Sequence, residues 1–371
     1  LCVRQADRVL LVAAAADPCP HAPPVLAVLR GAAARPHDLV LLHDPQRAAV
    51  TGAGQLLEKL PVDFHTHVRL NRPDDFTRLA RIIRGAAVGL VFSGGGARGF
   101  AHIGVIRALR ECGITVDLSG GTSMGSLIAA GLAREWDPQH LLEQMRRAFV
   151  DVNPLSDYTL PLVSLVRGRK VARLLRHAFG DHAIEDQWRY FFCVSSNLTA
   201  GAQRIHRTGP LWRALRASTA IPGVLPPVID RGEVLVDGGL LNNLPTDVMR
   251  GLQRGPVIGV DVANDRALSS QLQDLENRSV FSMLLRGRGG APGIVRILVR
   301  AGTVSSDVQR RHGRFQSDLL LEPPLEDIDM LSWSAFERAC ESGYRYTLAA
   351  LERLDKENGL AALKDGYTKS P

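Results

Sequence analysis

The sequence has few cysteines, few lysines and few aromatic residues, and each shortage argues against a class of protein. Its five cysteines are scattered, odd in number and form no Cys-x-x-Cys pair. This pattern excludes a disulfide framework and a zinc knuckle, and it favours a reducing compartment. Aromatic residues make up 5% of the chain, so no stacking platform for nucleic acid is visible. We therefore expect no nucleic-acid partner.

Long apolar runs are also missing. No stretch of about 18 or more apolar residues is present, so the sequence predicts no segment that spans a bilayer. No signal peptide is visible either. The chain begins at Leu1, and we expect it to be a piece of a longer protein. Its expected location is the cytoplasm, with peripheral contact at the inner face of a membrane.

What the sequence does have is a basic charge balance that arginine provides. The net charge is +7, and 40 of the 45 basic residues are arginines. A basic surface suits nucleic acid or an anionic membrane, and the shortage of aromatics favours the membrane. Apolar residues and arginines at 281–300 predict an amphipathic basic helix, which either touches a membrane or covers the core.

A nucleophile elbow is indicated at 121–125, where the sequence Gly-Thr-Ser-Met-Gly follows a short apolar stretch and precedes a helical run. A serine held on a tight strand-to-helix turn needs neighbours without a Cβ, here Gly121 and Gly125. The helix N-terminus beyond Ser123 also presents free N–H groups to an oxyanion. The pattern predicts that Ser123 is a nucleophile.

Two further motifs indicate the other parts of an acyl-transfer site. The sequence Ser-Gly-Gly-Gly-Ala-Arg-Gly at 93–99 joins a strand-like run to a helix, and such a turn can direct backbone N–H groups at an anion. At 237–239 the sequence Asp-Gly-Gly ends an apolar strand, and its glycines allow another group to come close. A serine, an anion-binding loop and a strand-end carboxylate are typical of acyl transfer.

Together these three blocks resemble the signature motifs of the patatin-like phospholipases, and they stand in that family's order. The sequences at 101–105, 217–223 and 242–245 agree with the likeness, and finer features resemble the neuropathy target esterase branch. The resemblance is strong over 88–262 and looser outside. It implies an α/β fold with a three-layer core, in which a mainly parallel central sheet has helices on both faces.

The resemblance also implies roles for individual residues. Ser123 would be the nucleophile and Asp237 its base in a Ser-Asp dyad that cleaves ester-linked acyl chains of phospholipids or lysophospholipids. No calcium, other metal or cofactor is implied. The oxyanion hole is expected at Gly94, Gly95, Gly96 and Arg98. Support for the motifs is expected from Gly121, Gly125 and Gly238.

Other residues offer alternatives to these roles. His312 is the only histidine after Asp237 and would complete a triad in the α/β-hydrolase order, but its basic, polar surroundings favour a solvated loop. His102 stands close to the glycine loop and is expected to pack at the start of a helix. Arg98 could hold the glycine loop or meet a lipid phosphate, and we favour a structural role for it. Asp261 ends a strand without a glycine pair and is interpreted as structural.

A metal site and a nucleotide site are two further alternatives. His65 and His67 lack a third metal ligand at a suitable spacing, and we expect them to point to opposite faces of a strand, which excludes a shared metal. The glycine loop would suit a nucleotide, but it lacks the Walker lysine, and Asp117 would have to be its acidic partner. The remaining alternative is a lipid-binding or scaffolding module without turnover.

The order of apolar runs predicts three regions. Residues 1–86 form a small α/β subdomain with a structural or regulatory role. Residues 87–265 form the catalytic core, with the glycine loop and the elbow at the carboxyl ends of strands. Residues 266–371 are mostly helical and complete the catalytic domain. Strands of the first region are expected at 9–13, 39–42 and 64–70.

Overall fold

A computed structural model of the chain describes residues 6–15, 35–263 and 314–356, together with Gly359 and Leu363. Its first elements are β1 (Val9–Ala14), β2 (His37–His43), α1 (Ala53–Lys59), β3 (Phe64–Arg69) and α2 (Pro73–Arg84). The three strands form a parallel sheet in the order β1-β2-β3. They lie where the apolar runs of the sequence predicted them.

The elements that follow build the central layer and its covering helices. They are β4 (Gly89–Phe92), α3 (Ala101–Glu111), β5 (Leu118–Thr122), α4 (Met124–Ala133), α5 (Pro138–Met145), α6 (Arg169–Phe179), β6 (Tyr190–Asn197), β7 (Ala202–His206), α7 (Leu211–Ser218), β8 (Val228–Asp230), β9 (Glu233–Asp237), α8 (Thr246–Arg250), β10 (Val257–Val260), β11 (Leu319–Leu321) and α9 (Phe336–Lys356).

The central sheet is mainly parallel. Its strand order is β11-β10-β4-β5-β6-β9-β8, and β7 pairs with β6 beside this path. The strands from β11 to β6 are parallel to one another, whereas β9, β8 and β7 are joined by antiparallel pairs. Parallel neighbours need long crossover connections, and α3 provides the one between β4 and β5.

Helices cover both faces of this sheet. On β4, Leu90 and Phe92 belong to an apolar core that also holds residues of α3, α4 and α9. Val91, which lies between them, belongs to a second core with Val248 of α8. Because successive side chains of a strand point to opposite faces, both faces of β4 are buried. This is the three-layer α/β fold that the resemblance implied.

The N-terminal sheet packs against the second core. Phe64 of β3 and Ile82 of α2 lie in that core together with residues of the central sheet. Beside them, both Nη atoms of Arg254 donate to the carboxylate of Asp38, at 2.6 and 2.7 Å, and both residues are buried. The division of the chain at 86 and 265 stays a prediction.

Two expectations about membranes concern different parts of the chain. Among the described residues, no helix combines the length and the apolar character that crossing a bilayer requires. The amphipathic helix expected at 281–300 lies outside the described residues.

Candidate active site

The register of the central sheet brings Ser123 and Asp237 together. Thr122, the last residue of β5, pairs with Val194 of β6. The next residue of β6, Ser195, pairs with Asp237 at the end of β9. Because Ser123 leaves β5 directly after Thr122, it stands beside Asp237. The hydroxyl of Ser123 donates a hydrogen bond of 2.6 Å to Oδ2 of Asp237.

The turn that holds Ser123 is strained. Ser123 has a φ of 52° and a ψ of −127°, a backbone region that residues with a Cβ rarely adopt. Space around the turn is short, because a Cβ at Gly121 would lie 2.7 Å from the carbonyl oxygen of Phe92, and one at Gly125 would lie 2.5 Å from it. Both positions therefore require glycine. A Cβ at Gly238 would meet the carbonyl oxygen of Val194 in the same way.

Ser218, the last residue of α7, fixes the backbone of the candidate nucleophile. Its Oγ accepts the N–H of Ser123 at 3.0 Å and donates to the carbonyl oxygen of Val194 at 2.7 Å. Its side chain is buried. The sequence drew attention to Ser218 only as part of the block at 217–223, because a serine outside the elbow has no motif that gives its partner.

Asp237 is a buried carboxylate with two hydrogen-bond donors. Its Oδ2 accepts the Ser123 hydroxyl, and its Oδ1 accepts the N–H of Gly239 at 2.8 Å. Burial raises the pKa of Asp237 to about 6, and the hydrogen bonds from Ser123 and Gly239 offset part of this effect. A carboxylate with this pKa is ionised at neutral pH and is a better general base than an exposed aspartate.

The glycine loop lies against the elbow. A Cβ at Gly94 would lie 2.9 Å from Cβ of Ser123. The N–H of Gly94 is directed at Asn243, to Oδ1 at 3.2 Å and to the carbonyl oxygen at 3.3 Å, and not at an oxyanion. The N–H groups of Gly95 and Gly96 make no hydrogen bond with other residues of the described part of the chain. They are therefore the stronger candidates for oxyanion donors.

Arg98 holds the glycine loop in place. Its Nε donates to the carbonyl oxygen of Ile328 at 2.7 Å, and its backbone N–H donates to the carbonyl oxygen of Gly95 at 3.3 Å. The sequence placed Arg98 in the oxyanion hole and also gave it a structural role. In the structure these two groups perform the structural role, because both are directed at backbone carbonyls.

The alternative candidates are held by other contacts. His102 is buried, its Nε2 lies 2.9 Å from the carbonyl oxygen of Ser93, and burial lowers its pKa to about 4, which confirms that it packs at a helix start. Asp117 accepts hydrogen bonds from Arg81 and from the N–H of Val88, so both of its carboxylate oxygens have protein partners just before β5 begins. His312 lies outside the described residues.

Asp261 has structural partners, as expected. Its Oδ1 accepts the N–H of Ala263 at 3.0 Å, and its Oδ2 lies 3.1 Å from Nη2 of Arg314. The ion pair joins the end of β10 to the chain just before β11.

The expectation that His65 and His67 point to opposite faces was wrong. Residues two apart on a strand share a face, and Nε2 of both histidines lies near the carbonyl oxygen of Glu185, at 3.0 and 2.8 Å. His43 joins them, with its Nε2 at 3.0 Å from Nδ1 of His67. No group of three or more candidate ligands suited to a metal ion is found among the described residues. The cluster packs the N-terminal sheet against residue 185.

The chain is similar to known patatin-like and NTE-family proteins. A family model described as patatin-like phospholipase matches residues 90–250. Lysophospholipase NTE1 of Candida glabrata is 34% identical over 330 residues, which cover 85% of this chain and 19% of that protein. An uncharacterized NTE family protein of Mycobacterium tuberculosis is 38% identical over 284 residues, which cover 75% of this chain and 49% of that protein.

Among solved structures, VipD from Legionella pneumophila is similar with a TM-score of 0.42 and 15% identity, over 72% of this chain and 67% of that chain. The chain spans about a fifth of the length of the fungal relative and about half of the mycobacterial one. The range that the family model matches contains the glycine loop, the elbow and Asp237. Residues 90–250 therefore form a patatin-like phospholipase domain.

Proposed function

We propose that the chain hydrolyses ester-linked fatty acyl chains of phospholipids or lysophospholipids through an acyl-enzyme on Ser123. The observation that carries this proposal is the hydrogen bond of 2.6 Å from the hydroxyl of Ser123 to Oδ2 of Asp237, on a strained strand-to-helix turn. A serine hydroxyl becomes a competent nucleophile when a base takes its proton during attack. The names of the relatives, lysophospholipases among them, support the lipid class.

Acylation is the first half of the proposed reaction. Ser123 Oγ attacks the carbonyl carbon of the ester, and the hydroxyl proton passes to Oδ2 of Asp237. The carbonyl oxygen becomes an oxyanion, for which the N–H groups of Gly95 and Gly96 and the N-terminus of α4 are the proposed donors. The ester C–O bond then breaks, and the leaving alcohol takes the proton from Asp237. The acyl group remains on Ser123 as an ester.

Deacylation is the second half, and it uses the same groups. Asp237 accepts a proton from a water molecule as the water oxygen attacks the acyl carbon, and the oxyanion is stabilised at the same donors. When the bond to Ser123 Oγ breaks, the proton returns from Asp237 to that oxygen. The products are a fatty acid and the free enzyme. We propose that calcium is not needed, because the chain supplies the base and the oxyanion donors.

We also propose that the chain works at an anionic membrane surface from the cytoplasmic side. The net charge of +7 supports this, because basic residues near a lipid surface are attracted to anionic head groups. The three cysteines among the described residues are free thiols, which is consistent with a reducing compartment.

Labelling with a fluorophosphonate, together with release of fatty acid from lysophosphatidylcholine in EDTA, tests this function. We expect the label on Ser123 and turnover in the parent chain, and we expect Ser123→Ala and Asp237→Asn each to abolish turnover. Asp230→Asn, at the end of β8, is the matched control and should keep parental activity. Turnover that survives Asp237→Asn would disprove the dyad and make His312 the next candidate base. Absence of both labelling and turnover would favour a lipid-binding module.

A further inference from the structure

The connection between α5 and α6 carries a group of exposed apolar side chains. Tyr158, Leu160, Leu162 and Val163 expose 75%, 79%, 89% and 68% of their surface, and Pro161 between them is exposed as well. We call residues 158–163 the apolar tip. Single exposed apolar residues are common on proteins, whereas a contiguous group of large ones marks an interaction surface.

The apolar tip stands on an ordered base. Tyr158 and Val166 form an antiparallel bridge, and the N–H of Thr159 donates to the carbonyl oxygen of Leu165 at 3.1 Å. Below them, the N–H of Arg167 donates to the carbonyl oxygen of Asp157 at 2.8 Å. Val166 is buried. The loop is thus closed by hydrogen bonds at its base, and its apolar side chains are held away from the core.

The base of this loop is joined to the segment that holds the candidate dyad. The N–H groups of Leu165 and Val166 donate to the carbonyl oxygens of Gly223 and Val224, at 2.9 and 3.1 Å. A few residues earlier in the same segment, the carbonyl oxygen of Ala220 accepts the N–H of Asp237 at 2.9 Å. Ser218, at the start of the segment, binds the N–H of Ser123.

Segment 218–224 therefore connects both members of the dyad to the loop. This continuity fixes the apolar tip relative to the site.

Charge is distributed unevenly around the apolar tip. Residues 158–166 contain no charged side chain, and Arg167, Arg169 and Lys170 follow directly. Arg167 and Arg169 are exposed. An apolar group beside a short basic run is the pattern of segments that lie in a lipid interface, because the apolar part enters the acyl region and the cations meet anionic head groups.

We propose that the apolar tip inserts into the lipid surface that holds the substrate, and that Arg167 and Arg169 bind its anionic head groups. The inference rests on the proposed lipid hydrolase function. The occupant is a lipid surface and not a protein, because the apolar tip and its basic neighbours match the two layers of an anionic membrane. Docking through the tip brings Ser123 and Asp237 to the interface, where a lipid can enter the site without leaving its aggregate into water.

Binding to vesicles tests the proposal independently of turnover. The full chain with Ser123→Ala is sedimented with vesicles of phosphatidylcholine, with and without phosphatidylglycerol. We expect Leu160→Ser with Leu162→Ser to weaken binding about tenfold or more, because two leucines lose their insertion into the acyl region. Leu198→Ser is the matched control, since Leu198 is also exposed but lies in the turn between β6 and β7. It should bind as the parent does.

The basic residues require a separate variant. Arg167→Gln with Arg169→Gln should remove the preference for vesicles that contain phosphatidylglycerol and reduce the salt dependence of binding. Parental binding by the leucine variant would overturn the proposal. Absence of vesicle binding by the parent would overturn it as well. The same holds if the parent is a dimer, the leucine variant is a monomer and both bind vesicles equally, because the tip would then be a contact between copies.

Turnover assays with Ser123 intact separate this inference from the proposed function. The leucine variant should hydrolyse a soluble short-chain ester at the parental rate and should lose activity on lipid in vesicles. If the parent hydrolyses neither substrate but binds vesicles through the apolar tip, the proposed function fails and the docking surface stands. If the parent hydrolyses both substrates and the leucine variant does so equally well, the docking surface fails and the function stands.

Discussion

Asn243 forms two hydrogen bonds with the backbone of Gly94 through its side-chain amide. Its Oδ1 accepts the N–H of Gly94 at 3.2 Å, and its Nδ2 donates to the carbonyl oxygen of Gly94 at 3.2 Å. Because Asn243 follows Asp237 by six residues and Gly94 lies against Ser123, this pair joins the end of β9, where Asp237 lies, to the glycine loop. It therefore sets the position of the proposed oxyanion donors relative to Ser123.

Replacing this amide should impair catalysis more than substrate binding. We expect Asn243→Ala to lower kcat on lysophosphatidylcholine by about 10- to 100-fold with little change in KM. Displaced donors would stabilise the oxyanion of the transition state less well, while binding of the uncharged ester would be unaffected. Steady-state kinetics checks the prediction, and the melting temperature is measured alongside. A parental kcat in the folded variant would show that the glycine loop keeps its position without Asn243.

Ser218 should be needed to hold the elbow. Ser218→Ala removes the acceptor of the Ser123 N–H and the donor to the Val194 carbonyl oxygen, and both of these groups are then left without that partner. Each buried polar group without a partner costs about 1–3 kcal/mol. We expect slower labelling of Ser123 by a fluorophosphonate, lower kcat and reduced stability. The rate of labelling is the direct measurement.

Thr219→Ala is the matched control for Ser218→Ala. The hydroxyl of Thr219 binds carbonyl oxygens of its own helix, those of Leu215 and Arg216. Its loss should leave the labelling rate close to that of the parent. Equal effects of the two variants would mean that α7 as a whole, and not the contact of Ser218 with Ser123, governs the rate.

The pH profile of turnover should follow Asp237. The carboxylate must be ionised to take the proton of Ser123, and burial raises its pKa to about 6. We therefore expect kcat/KM for an uncharged soluble ester to rise as the pH increases through about 6 and to level off above it. An inflection near pH 4, that of an ordinary exposed aspartate, would contradict the raised pKa.

The same raised pKa has a consequence for stability. The native state binds a proton at Asp237 more tightly than the unfolded chain does, so the stability that comes from this proton is present below about pH 4 and lost as the pH rises through about 6. We expect the free energy of unfolding of Asp237→Asn to exceed that of the parent above about pH 6, by an amount of order 2–3 kcal/mol. Urea unfolding as a function of pH measures it. A constant difference between the two proteins from about pH 4 to about pH 8 would contradict the prediction.

The sequence identifies those candidate site residues that lie in short, recognisable motifs. Ser123 stands between two glycines that the turn requires, and Asp237 stands before two more, so a short window is enough to recognise each of them. Ser218 and Asn243 carry no such signal. Ser218 binds Ser123 across 95 positions of the chain, and Asn243 binds Gly94 across 149. Such pairs depend on the order of strands in the sheet.

The order of strands is what the apolar pattern does not reveal. Runs of apolar residues predicted where β4, β5, β9 and β10 lie, but not that β9 turns antiparallel and pairs with β6. That pairing brings Asp237 next to Ser123. The histidines of β3 are a different case, because the period of two in a strand already implies a shared face for His65 and His67.

The ion pair between Asp38 and Arg254 should fasten the N-terminal sheet to the domain that contains the central sheet. Both residues are buried, and the guanidinium of Arg254 also lies over the ring of Phe64, 4.3 Å from its centroid. Asp38→Ala would leave a buried guanidinium without its carboxylate, which costs about 3–5 kcal/mol. Asp327→Ala is the matched control, because it removes an Arg–Asp pair with Arg338 in which both side chains are mostly exposed.

Urea unfolding of the two variants should separate these contributions. We expect the exposed pair with Arg338 to change the free energy of unfolding by no more than about 1 kcal/mol, since solvent screens it and its side chains lose entropy when they pair. The loss in Asp38→Ala should be several times larger, and hydrogen exchange should rise first in β1, β2 and β3. If both variants lost equally little, apolar contacts such as that of Phe64 with the second core would hold the N-terminal sheet in place without help from the buried charges.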